Sequence, residues 1–177
     1  MLRRTMKFFV VAAIVAVPSI SQAQTVCAQQ NSCNLQPVAT LTIPTIVRMQ
    51  VPALAIALDG SAITDISAGA AVIPGTFGDV NVRANAGWSL TLAANSANWV
   101  YTGSEGGVRA ANTLEYQVNG GAFGAISTVA STIASGAASN GTNVNVQFQA
   151  TVPSDYSDAA NRPGSYALTM TFVLSAP

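Results

Sequence analysis

The chain has 177 residues, 50% of them hydrophobic and only 8% charged, with seven basic and seven acidic side chains and no histidine. That length supports one domain with a sizeable core, and so few cations exclude a surface able to neutralise a run of phosphates. The lack of histidine excludes Ser-His and Cys-His catalytic pairs and the usual zinc centres.

The chain opens with Arg3, Arg4 and Lys7, then the apolar run Phe8 to Val17, then the small residues of Ser21 to Ala23. This is the layout of a secretory signal peptide over residues 1–23, with cleavage expected before Gln24. Beyond it only Arg48, Arg83, Arg109 and Arg162 remain as cations, against seven carboxylates, a formal charge of −3 with no lysine. A lysine-free chain has no Schiff base and no Ser-Lys dyad. Neither nucleic acid nor an anionic membrane surface is expected as a partner. No second run of 18 apolar residues follows, so no membrane span is expected in the mature chain.

Residues 24–36 form a polar N-terminal segment containing Cys27 and Cys33. In an exported protein two cysteines predict a disulfide, here closing a short loop and adding on the order of 2 kcal/mol. As a metal site the two thiolates would leave zinc under-coordinated, so neither metal nor cofactor is expected.

Residues 37–177 read as strands and turns, eight to ten strands with no helix. Within Val38 to Gly60, three short apolar segments are punctuated by Pro44 and Pro52. Proline cannot donate to a ladder, so these predict edge strands or strand switches. Val80, Val82, Trp88, Leu90 and Leu92 share even parity across a kink at Ala86-Gly87, a pair of half-buried strands. Asn98 to Gly103 is expected to supply the next partner. Leu114, Tyr116 and Val118 lead into Asn119-Gly120, a hairpin signal, because that pair adopts the positive φ angles of a tight turn. Val129 to Ser139 is alanine-rich but uncharged and reads as strand plus loop. A second pair, Asn140-Gly141, precedes a strict alternation from Asn143 to Val152, with Val144, Val146, Phe148, Ala150 and Val152 on one face. Strands at this spacing predict an all-β, antiparallel sandwich.

The remaining candidates for chemistry are few. Asp59 with Asp65, and Asp155 with Asp158, lack the dense spacing of a calcium loop and read as turn formers. Glu105 and Glu115 are the only glutamate pair, and nothing brings them across a cleft as a glycosidase requires. The glycine-rich stretches Ser104 to Gly107 and Gly120 to Gly124 precede no helix, so they are turns rather than phosphate cradles. Trp99 and Tyr101 share a parity and are the candidate exposed stacking pair for a glycan. No catalytic residue emerges, and the protein is expected not to be an enzyme.

The C-terminal stretch places Tyr166, Leu168, Met170, Phe172 and Leu174 two residues apart, one continuous strand with a core face. Gly164, fourteenth from the end, precedes it. Signal peptide, single β-domain, paired cysteines and this strand together resemble subunits of chaperone–usher pili and related bacterial surface-fibre proteins. In that family a glycine opens the C-terminal motif at this distance from the end. Stretches such as VRANAGWSLTL, YQVNGGAF and RPGSYALTMTF are also similar to a group of exported bacterial immunoglobulin-like domains.

The resemblance implies an immunoglobulin-like, Greek-key sandwich lacking a strand that a neighbour supplies. It also implies a periplasmic chaperone in transit, then a homopolymer or other fibre subunits at the cell surface. Gly164, Tyr166, Leu168, Met170, Phe172 and Leu174 would then be the strand facing chaperone or neighbour. Ala39, Leu41 and Ile43 supply the first alternation fit for a donor strand. The alternative expectation is a self-sufficient secreted sandwich that binds surface glycans.

Overall fold

The computed structural model describes residues 38–61, 63, 65 and 71–176. By compactness the chain divides into two units, Met1–Thr42 and Ile43–Pro177. Of the first unit only residues 38–42 are described, and they form no regular element. The Cys27–Cys33 pair lies outside the described residues.

The second unit is all-β. Its strands are β1 (Val47–Gln50), β2 (Ala71–Ala84), β3 (Trp88–Ala94), β4 (Val100–Thr102), β5 (Leu114–Val118), β6 (Gly124–Ala125), β7 (Ser131–Gly136), β8 (Ser139–Val152), β9 (Ser165–Ala167) and β10 (Met170–Ser175). The only other regular pieces among the described residues are single 3-10 turns at Ala111–Thr113 and Ala159–Asn161. Every pairing is antiparallel. A larger sheet runs β1-β2-β8-β5-β6, a smaller one β10-β3-β7, and β4 pairs with β9 as a separate ribbon.

Two-residue alternation explains how these sheets pack into a sandwich. Val80, Val82 and Ala84 of β2 and Val144, Val146 and Phe148 of β8 are buried on one face of the larger sheet. They share one core with Trp88, Leu90 and Leu92 of β3. The intervening positions turn outward and carry Asn, Gln, Ser and Thr, as a half-solvated antiparallel sheet requires. The expected hairpin forms at Asn119-Gly120, with φ of 49° and 74°, joining β5 to β6. The region from Val129 to Ser139 resolves into β7 and a bend.

Three local expectations are corrected. The segment after β3 does not pair with it; β4 joins β9, and β3 takes β10 and β7 instead. Asn140-Gly141 is not a turn before a strand but a bulge inside β8, where both residues stand opposite Arg83 alone. The C-terminal stretch is not one continuous strand. Ser165–Ala167 belongs to the β4–β9 ribbon, the chain crosses over at Leu168-Thr169, and β10 begins at Met170.

Candidate functional site

Strands β3 and β10 show the same alternation with different burial. The inward residues of β3 are fully buried, whereas Met170, Phe172 and Leu174 of β10 are only half-buried. The cause is position: among the described strands β10 pairs with β3 on one side and with none on the other. Beside that free edge runs an open groove of about 620 Å³. One wall is Leu168, Met170 and Phe172; the other is Met49, Val51, Ile56 and Leu58. Phe77, Leu114 and Trp99 form its floor, so the groove reaches the core. Phe172 stacks on Phe77 with centroids 5.6 Å apart, and Phe77 meets Phe148 edge-on at 5.5 Å.

The wall opposite β10 is loosely built. After β1 the chain passes Pro52, and the strand-type contact among its described residues is an isolated bridge, Leu58 to Gly75. Ile56 and Leu58 lie across Gly75, where a Cβ would come within 2.7 Å of Leu58 Cδ2. Leu54, on the same segment, is 98% exposed.

The residues predicted for the partner-facing strand divide into two groups. Leu168, Met170 and Phe172 line the groove, and Leu174 packs against the core. Tyr166 belongs to the β4–β9 ribbon instead, and Gly164 to the bend that leads into it. The Tyr166 hydroxyl donates within bonding distance of the Ala159 and Arg162 carbonyls (3.2 and 3.0 Å), and its ring sits 5.0 Å from that of Tyr101. Burial pushes the Tyr166 phenol above its ordinary range. Gly164 has φ 154°, and a Cβ there would lie 2.5 Å from Tyr101 Cε2 and 2.7 Å from the Thr102 carbonyl. In the donor candidate, Leu41 and Ile43 are 83% and 68% exposed, Ala39 is exposed, and none lies in a strand.

Trp99 and Tyr101 do not form an exposed platform. Both are half-buried. Trp99 Nε1 donates to the Ala110 carbonyl (3.1 Å) and Thr113 Oγ1 (3.2 Å), and the Tyr101 hydroxyl donates to the Pro163 carbonyl (2.7 Å). Between the rings of Trp99 and Tyr166 lies Arg109, the one buried charged side chain among the described residues, 6% exposed. Its guanidinium stands 5.6 Å from the Trp99 ring and 5.9 Å from that of Tyr166. It donates to Thr113 Oγ1 (3.0 Å), the Ala160 carbonyl (3.3 Å) and the Thr151 carbonyl. Burial draws its pKa below the usual arginine value, against opposing pulls from Tyr166 and Asp158. Sequence reading counted Arg109 only as a charge. Its apolar neighbours, Val108, Ala110 and Ala111, were the available sign of burial.

The carboxylates work locally. Asp59 and Asp155 accept from the backbone N–H two residues on, and Asp158 caps the turn at Ala159–Asn161. Glu115 accepts from Gln149 on the outer sheet face (2.6 Å). Among the described residues there is no group of three or more His, Cys, Asp or Glu placed to hold a metal. Nor is any helix among them long and apolar enough to cross a membrane. No family model, curated protein or solved structure matches this chain.

Proposed function

We propose that this protein is an exported, non-enzymatic structural subunit that assembles into a surface fibre by β-strand complementation. The observation that carries the reading is the half-burial of Met170, Phe172 and Leu174 on a strand with one free edge beside a groove into the core. A strand added there would gain main-chain hydrogen bonds from β10 and would cover those three side chains. On this reading β1, β2, β8 and β5 stand for strands A, B, E and D of an immunoglobulin-type sandwich, β3 for strand C and β10 for strand F. The groove then falls at the position of strand G.

The donor in this reading is the Ala39, Leu41 and Ile43 segment of a second copy, whose three alternate apolar positions equal in number those of β10. A periplasmic chaperone would cover the same edge before assembly, in transit to the cell surface. The glycan-stacking alternative draws no support from Trp99 and Tyr101, because both rings are spent on internal contacts.

The test is electrophoresis of the purified mature chain in SDS with and without boiling. The expected result is a ladder of oligomers in unboiled samples that collapses to monomer on heating. Leu41→Asp or Ile43→Asp should abolish the ladder while leaving a cooperatively melting monomer, since neither side chain lies in a strand. A parent chain that stays monomeric with a single cooperative melt would overturn the proposal.

A further inference from the structure

Arg48 and Arg83 face each other directly across the β1–β2 ladder. Both are exposed. Like charges in directly opposed positions destabilise a sheet, yet a mature chain with four arginines puts two of them here. Among the described residues no carboxylate pairs with either arginine. All seven acidic side chains are described, and each has a different partner: Ser61 for Asp59, Tyr156 for Asp65, Asn145 for Asp79, Ser104 for Glu105, Gln149 for Glu115, Ser157 for Asp155 and the Ala160 N–H for Asp158. Among the described residues the pair thus has no carboxylate partner.

The third strand in the row supplies a second, independent feature. Opposite Arg83 on β8 stands the Asn140-Gly141 bulge, and bulges re-aim side chains beside binding sites. A Cβ at Gly141 would stand 4.0 Å from Arg83 Nε, so the guanidinium already lies over the bare backbone of the bulge. Arg48, Arg83, Asn140 and Ser139 line one recess of about 570 Å³, with the exposed Ile46 and Ala138 as its apolar part. One pleat further along the outer face, about 7 Å away, runs a row of amides: Gln50 opposite Asn81, and Asn81 opposite Asn143. Asn81 donates to Asn143 Oδ1 at 2.7 Å, which fixes both side chains.

We propose that this recess binds a carboxylate-bearing saccharide. The two guanidinium forks take the carboxylate by paired, charge-assisted hydrogen bonds. The neighbouring amides and Asn140 meet hydroxyl groups, and Ile46 and Ala138 meet a ring face. Two cations are too few to hold a polyphosphate, and the amide row suits a polyol better than a lone inorganic anion. The inference does not rest on strand complementation, because the recess lies on the outer face of the larger sheet, away from the groove.

The experiment is isothermal titration of the mature chain with trigalacturonate and, as the neutral counterpart, maltotriose, in low salt. Saturable binding is expected for trigalacturonate alone. Arg48→Gln and Arg83→Gln should each weaken it by about tenfold or more, the loss of a charged hydrogen-bonding partner. Arg162→Gln removes the same charge elsewhere and should leave affinity unchanged. The unliganded Arg83→Gln protein should melt no lower than the parent, because an opposed charge has been removed; a lower melt would assign Arg83 a structural role and count against the site. The proposal is overturned if trigalacturonate does not bind, if the Arg48 and Arg83 variants bind as the parent does, or if triglutamate binds equally well.

Discussion

At the scale of single residues, the ribbon of β4 and β9 is held by close approach of tyrosines to bare backbone. Gly164 is required there by Tyr101 and the Thr102 carbonyl, which leave no room for a methyl group. Gly164→Ala is expected to cost about 1–3 kcal/mol through overpacking and an unfavourable φ. Gly124→Ala meets nothing within 4 Å and should stay within about 0.5 kcal/mol of the parent; urea denaturation of both variants compares them directly. The sequence singled out Gly164 by its distance from the end, whereas the structure supplies a local steric cause. Trp99 and Tyr101 show the complementary limit of sequence reading. Shared parity says that two rings lie on one face, but not whether Arg109 and a carbonyl-rich turn already occupy that face.

At the scale of elements, alternation was legible and pairing was not. β3, β5 and most of β8 follow directly from apolar residues two apart, and the Asn119-Gly120 turn from its positive φ requirement. The strand pairs β3–β10 and β4–β9 join segments far apart in sequence, and no local pattern encodes which strand meets which. Nor does alternation report how completely a face is covered. Leu90 and Leu174 stand opposite each other in the β3–β10 ladder, but Leu90 is fully buried and Leu174 half-buried. Leu90→Ala is therefore expected to cost about 3–5 kcal/mol, near the upper end for leucine truncation, and Leu174→Ala about half as much. Equal losses in equilibrium unfolding of the monomer would mean that the edge of β10 is covered in solution.

At the scale of the molecule, the two proposed surfaces are predicted to respond differently to salt. Strand addition at β10 rests on main-chain hydrogen bonds and apolar contact, so the unboiled ladder should be unchanged between about 50 and 500 mM sodium chloride. Saccharide binding at Arg48 and Arg83 rests on exposed charge and should weaken several-fold over the same range. Titration and electrophoresis across one salt series separate the two surfaces.

The same β3–β10 pairing governs the order in which the protein is able to fold. Thr171 meets Asn95 across 76 residues of chain. Trp88, Leu90 and Leu92 are synthesised early, but one flank of their strand has no mate until residues 170–175 have followed. Contacts this remote in sequence make folding slow and expose apolar surface on the way. The smaller sheet is thus completed only once residues 170–175 are available to pair. On the export proposed above, that delay would keep the polypeptide threadable until residues 170–175 have passed.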